Sequence, residues 1–346
     1  MKIAIDVMGG DLGAVATISG IYRYALENDC SGIFFELFGN EKIITSRITD
    51  LGRSTAFSYG IHDTADNVVL GSEKPTHALK NSRGTSMFEA VSHVANGKSD
   101  AVISSGNTGA YMALSKMLIG TIEGIDRPAI VSVFPNLNGK TIMLDLGANT
   151  DCSSTKLIQF AFMGQAVAKV LLRLNNPRIG LLNIGTERSK GTSSLEEAYN
   201  FLEKSNNVNF IGFVEGTDIT SGAVDIIVTD GFSGNVALKS MEGTLRYIVN
   251  FLKDGFRSSA FSKVGYFLCK KIFGSLTNTI DPMRNNGAPF VGLKKISIKS
   301  HGNSDGIGFA TAISVAVRLA RSEFIKNIEE MISKADEKDS NESKSC

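Results

Sequence analysis

One unit recurs along this chain and limits what it can fold into. A short β-branched or aliphatic run ends in a cluster of Gly, Asn, Asp and Ser, and a stretch with helical patterning usually follows. Lys2–Val7 leads into Met8-Gly9-Gly10-Asp11, Ala101–Ser104 into Ser105-Gly106-Asn107-Thr108-Gly109-Ala110, and Thr141–Leu144 into Asp145-Leu146-Gly147-Ala148-Asn149. Ile179–Leu182 leads into Asn183-Ile184-Gly185-Thr186-Glu187 with Lys190-Gly191 beyond, Asp225–Thr229 into Asp230-Gly231-Phe232-Ser233-Gly234-Asn235, and Ile296–Lys299 into Ser300-His301-Gly302-Asn303-Ser304-Asp305. Short apolar runs alternating with helical stretches predict a mostly parallel sheet with helices on both faces, an α/β/α sandwich. In such sheets ligands bind beyond the carboxyl ends of the strands. All six clusters are therefore expected on one side of one sheet.

Turn chemistry alone uses Gly, Asn and Asp. Six such clusters at one sheet edge are more than turns require, and their unpaired N–H groups suit an anion such as phosphate. No G-x-G-x-x-G follows the first run, and neither a G-x-x-x-x-G-K-[ST] loop nor a G-x-S-x-G elbow occurs. Nicotinamide, P-loop and α/β-hydrolase chemistries are accordingly disfavoured. Hydrophobic residues make up 42% and charged residues 21%, so a large soluble core is available, and the net charge of +1 offers no global field for nucleic acid. The four cysteines and four histidines are scattered without ligand spacing, and no metal or cofactor is expected. The chain opens directly into Lys2-Ile3-Ala4-Ile5 without a signal-peptide core, and no run spans a bilayer, so a reducing cytoplasm is the expected compartment.

Residues 1–332 are expected to form one large α/β domain, and the polar stretch 333–346 a disordered tail. Within the domain, residues 241–276 read as two helices with a break near Asp254-Gly255. Phe261, Val264, Leu268 and Ile272 fall on one stripe, and Lys263 and Lys270 project roughly opposite. Arg246, Lys253, Arg257 and Lys271 add positive charge. Such a hairpin suits a membrane interface or an acidic partner, or packing on its own core or at a dimer interface.

In this order the clusters closely resemble the PlsX family of bacterial acyl-[acyl carrier protein]:phosphate acyltransferases. The match continues through Gly180-Leu181-Leu182-Asn183-Ile184-Gly185, Val236-Ala237-Leu238-Lys239, Gly287-Ala288-Pro289 and Ile298-Lys299-Ser300-His301-Gly302, covering about residues 1–325. The resemblance implies a sandwich similar to isopropylmalate dehydrogenases and phosphotransacetylases, working as a homodimer. It implies reversible transfer of a long-chain acyl group from acyl carrier protein to inorganic phosphate. The acyl phosphate then serves a membrane glycerol-3-phosphate acyltransferase in phospholipid synthesis. The corresponding hairpin in the family looks like a membrane-touching element, which implies peripheral contact with the inner face of the cell membrane. Three positions depart from the family pattern: Leu12-Gly13-Ala14 replaces His-x-Pro, Ser105 replaces Ala, and Lys80 stands where Arg is frequent.

Phosphate is itself a competent nucleophile, so the protein must hold it against a thioester carbonyl and stabilise the oxyanion. Gly106, Asn107, Thr108 and Gly109, with Gly147 and Asn149, are the expected phosphate cradle. Lys190, Asn235 and His301 are the candidate catalytic side chains: a fixed cation, an amide donor and a proton carrier. Lys299 adjoins them as a phosphate-binding candidate. Asp145 or Asp305 is expected to orient a lysine or histidine, and Cys152 to be a small buried residue. The basic and apolar hairpin residues are the candidate contact for carrier protein or membrane. A coenzyme A-dependent phosphate acyltransferase and a non-catalytic membrane scaffold remain alternative readings.

Overall fold

The computed structural model describes residues 1–52, 56–64 and 82–342. Among these, eleven strands form one sheet in the order β3-β2-β1-β4-β11-β10-β5-β6-β9-β7-β8. The strands are β1 Lys2–Asp6, β2 Phe34–Gly39, β3 Ser58–Asp63, β4 Ala101–Ser104, β5 Ala129–Asn136, β6 Gly139–Leu144, β7 Arg178–Leu182, β8 Asn209–Val214, β9 Ile226–Val228, β10 Ala288–Val291 and β11 Ile296–Lys299.

Successive strand residues alternate between two cores. Ile3, Ile5, Ile142 and Leu144 pack into one, while Ala4 and Met143 pack into the other. Both faces of a sheet with this alternation must be covered. The first core takes helices α1 Ala14–Glu27, α5 Ser154–Val167, α6 Ser193–Lys204, α9 Gly306–Ala320 and α10 Phe324–Glu342. The second takes α3 Ser86–Ala95, α4 Thr108–Ile119 and the start of α7 Gly231–Arg257. α2 Glu41–Asp50 adds Ile44 and Ile48 to the first core, and the remaining helix is α8 Ala260–Ile280. The three-layer sandwich expected from the sequence is present.

The sheet is not uniformly parallel, and this corrects the expectation that all six clusters share one side. β3, β2, β1, β4 and β11 run in one direction. The antiparallel pairings β11–β10, β10–β5 and β5–β6 reverse it, and β6, β9, β7 and β8 run the other way. β5 is the pivot: Ala129 and Ile130 pair with β10, and Val131–Asn136 pair with β6. The register puts Ile298, Pro289, Val131 and Leu144 in one row, so β11 and β6 end level with each other from opposite directions. Loops that point apart thus meet over the central strands. Ordinary pairing rules permit this, but nothing local in any cluster announces it.

α7 and α8 form the expected hairpin, with different limits. Gly255 stays helical, and the break falls at Ser258-Ser259, where the Ser259 side chain accepts the Ser262 N–H at 3.0 Å and caps the returning helix. One glycine costs a helix about 1 kcal/mol, which the continuing turns absorb, whereas a capping serine starts a helix outright. Phe256, Tyr266 and Phe273 clasp the two arms. The stretch expected to be a disordered tail is helical as far as Glu342, continuing α10, whose preceding turns bury Ile328 and Ile332. Lys80, His77 and residues 343–346 lie outside the described residues.

Candidate active site

Two buried aspartates shape the loops. Asp6, at the end of β1, accepts the Ser86 and Ser104 hydroxyls at 2.6 Å each. Burial pushes its pKa up, while these hydroxyls and the Met8 and Gly9 N–H groups pull it down. A Cβ on Gly9 would come within 2.5 Å of its carboxylate, so the turn after β1 requires glycine. Asp145, after β6, accepts N–H bonds from Ile130 (2.9 Å), Ala148 (3.1 Å) and Asn149 (2.7 Å), and from the Asn149 side chain (2.9 Å). The start of α7 lies directly on this loop, and a Cβ on Gly234 would collide with the Asp145 carbonyl.

The Asp145 loop borders a cavity of about 690 Å³ over the central strands, in the gap between α4 and α7. Four of the six clusters reach its wall. Thr108 and Gly109 open α4, whose cap is Asn107 accepting the Ala110 N–H at 3.0 Å. Gly147 and Ala148 face them from the other half of the sheet, with Asn235 packed on Gly147. Lys299, Ser300 and His301 supply the floor, and Lys116 and Arg127 stand at the rim side of α4.

Lys299 is 8% exposed, with its ammonium on the Ser105 carbonyl at 3.2 Å and on the Ser300 carbonyl. Burial lowers its pKa to about 8, against the support of Asp6 and Asp11. His301 also has its pKa lowered, first by burial and then by Lys239 and Lys299, while Glu242 opposes. Its Nε2 stands 3.6 Å from Glu242, and its backbone N–H donates to Asn286 Oδ1 at 3.0 Å. Asn286 is buried and holds the Ser300 and Ser304 hydroxyls as well. A protonated lysine beside an uncharged imidazole, facing helix-opening N–H groups, can bind an anion and move one proton.

Several expectations change here. Lys190 is not among the residues lining the cavity. Its ammonium pairs with Glu187 at 2.9 Å on the surface, because its loop follows β7, well to the side of the reversal. Asp145 orients no lysine or histidine but secures its own loop, and Asp305 caps α9 by accepting the Gly308 N–H at 2.9 Å. Asn149 and Gly106 stand behind the wall: Asn149 binds Asp145 and the Pro128 carbonyl, and the Gly106 N–H donates to Ser104 Oγ. Cys152 is buried with its thiol pKa pushed up to about 12, unsuited to nucleophilic work. The residues that sequence reasoning missed are Asp6, Asn286, Lys239 and Glu242. Asn286 was signalled only by its place just before Gly287-Ala288-Pro289.

The histidines are less scattered than the sequence suggests. His62 and His93 meet Glu36 with their ligand-capable atoms within 4.8 Å. Glu36 already accepts Lys2 and His62 at 2.8 Å each, and His93 binds Ser99, which accounts for the group as a charge network. On the hairpin, Arg246, Lys253, Arg257, Lys263, Lys270 and Lys271 are all exposed. So are Phe251, Phe261, Val264 and Leu268, with Phe261 89% exposed. The core-packing reading does not hold for this stripe. Among the described residues no helix is long and apolar enough to cross a membrane.

Comparison with known proteins places this geometry. The structure is similar to a phosphotransacetylase from Streptococcus pyogenes, with a TM-score of 0.60 at 17% identity, over 92% of this chain and 94% of that one. It is similar to a branched-chain phosphotransacylase from Enterococcus faecalis, with a TM-score of 0.57 at 14% identity, over 93% and 100%. These likenesses establish a shared fold. The phosphate acyltransferase of Rhodospirillum centenum is 44% identical over 96% of this chain and 93% of its own length. That of Paramagnetospirillum magneticum is 44% identical over 92% and 90%. The model of the family described as fatty acid synthesis protein matches residues 1–327, and the chain belongs to that family, as its ordered loops and their resemblance to PlsX implied.

Proposed function

We propose that this protein is a phosphate acyltransferase of lipid synthesis that moves a long-chain acyl group from acyl carrier protein to inorganic phosphate. The observation that carries the reading is the buried Lys299 beside His301, facing the opening N–H groups of α4 across one cavity. Its relatives' name, phosphate acyltransferase, supports the same chemistry.

Hydrogen phosphate dianion sits between Lys299 and the backbone amides at Gly109 and Gly147. Its oxygen attacks the thioester carbonyl, forming a C–O bond, and the tetrahedral oxyanion is stabilised by N–H donors, Asn235 among them. Collapse breaks the C–S bond. His301, uncharged beforehand, takes the phosphate proton and delivers it to the departing sulfur, so acyl phosphate and free thiol form with no net proton change. No acyl-enzyme step is required. The exposed lysines and arginines of the hairpin meet an acidic carrier protein, and its aromatic face gives reversible contact with the membrane that consumes the product.

The test is thiol release from palmitoyl-carrier protein with inorganic phosphate, the acyl phosphate being trapped with hydroxylamine. Phosphate-dependent release from the carrier-protein donor is expected. Equal use of palmitoyl-coenzyme A would favour the coenzyme A reading, and release from neither would overturn acyl transfer. Co-sedimentation with anionic vesicles, lost on Phe261→Ser with Leu268→Ser, checks the membrane contact.

A further inference from the structure

At His301 the polar cavity opens into a second one of about 270 Å³ with a different character. Ser132, Leu238, Asn285 and His301 border both. One wall is the outer half of β5, with Val133, Phe134, Pro135 and Leu137. β5 pairs with β10 only through Ala129 and Ile130, so beyond that point this edge has no strand partner among the described residues. The other wall is α7. Leu238, Met241, Glu242 and Leu245 stand at i, i+3, i+4 and i+7, which is one helix face. The charged group on it, Glu242, takes Lys239 at 2.8 Å and faces His301, leaving the deeper positions, Met241 and Leu245, carbon-lined.

Resting on the acyl-transfer reading above, we propose that this second cavity seats the alkyl chain of the donor, with the thioester carbonyl at His301, and that Met241, Leu245 and Val133 set the chain length accepted. A cavity lined mainly by carbon, with Asn136 and Thr220 at the β5 side and its charged groups where it joins the phosphate site, matches a molecule with one reactive end and a hydrocarbon tail. A methylene fills about the volume of one water, roughly 30 Å³, so this space takes on the order of nine. A longer chain continues along the same α7 stripe, past Ile248 and Leu252, toward the exposed apolar face of the hairpin. The hairpin and the chain site are thus one surface, leading from the reacting carbonyl to the molecule's exterior.

The experiment compares kcat/KM for butyryl- and palmitoyl-carrier protein with inorganic phosphate in the full-length protein, in Leu245→Trp and in Val133→Phe. These variants narrow the cavity from opposite walls, so a folding failure of one leaves the other as the test. The palmitoyl-to-butyryl ratio is expected to fall at least about tenfold in each, since several methylenes lose their seat. A ratio that moves less than this in both variants overturns the proposal. If the unaltered protein transfers no acyl group from any donor, the acyl-transfer reading fails by itself. Binding of fluorescent cis-parinaric acid then decides the cavity: tenfold weaker binding by the variants sustains it, and equal binding overturns it.

Discussion

The two halves of the sheet solve the same problem in opposite ways. Each turns its polar loop on a buried aspartate, Asp6 in one and Asp145 in the other. Asp6 is held partly by hydroxyls and lies in the field of a buried cation, Lys299. Asp145 is held by N–H groups alone, and the lysine of its half, Lys190, stands at the surface with Glu187. The first half therefore brings a buried cation and an imidazole to the cavity on β11, while the second secures the Asp145 loop internally and brings Asn235, Lys239 and Glu242 in on α7. A fixed backbone cradle costs no reorganisation when charge develops, and a desolvated cation beside it acts at full strength. The buried lysine and the imidazole thus come from one half, and the amide and the carboxylate that face them come from the other.

The largest effect that sharpens this contrast is expected from Lys299→Met: phosphate-dependent turnover falls by about a thousandfold. In the unaltered protein activity also declines as pH rises through about 8, where the ammonium is lost, and steady-state kcat/KM against pH checks both. Next is Asp145→Ala, which leaves its N–H donors unpaired and lowers stability by about 3 kcal/mol, read by urea unfolding. A stable Asp145→Ala variant would break the scaffold reading of the second half. His301→Gln should cost about a hundredfold and remove the acid limb, which exists because the ring must be uncharged to accept a proton and lies below the ordinary histidine range because burial disfavours the charged ring. The smallest effect is Lys190→Ala, expected to change turnover less than about twofold, as for an exposed ion pair. A tenfold loss there would return Lys190 to the reaction and blur the division.

Much of this arrangement is legible in the chain. The alternation of Ile3, Ala4 and Ile5, repeated at Ile142, Met143 and Leu144, announces strands buried on both faces. Gly109, Gly147, Asn235 and His301, each from a different cluster, line one cavity. The amphipathic patterning of Phe261, Val264 and Leu268 marks a hairpin face, and its exposure shows that the chain's own core does not cover it. The choice between Lys190 and Lys299 was not legible, because both are lysines next to glycine-rich turns and differ only in what the fold places around them. Asp6 reads in the sequence as one more strand-end residue, and only the fold brings Ser86 and Ser104 onto it.

Local sequence therefore determined the elements, the turn chemistry and the identity of the polar clusters, since periodicity and backbone preferences act over a few residues. Tertiary structure alone decided the reversal at β5, the level ending of β6 and β11, and the burial that lowers the pKa of Lys299. Strand partners such as Ala101 and Ile296 are nearly two hundred residues apart, and desolvation depends on every element packed around a group rather than on its neighbours in the chain.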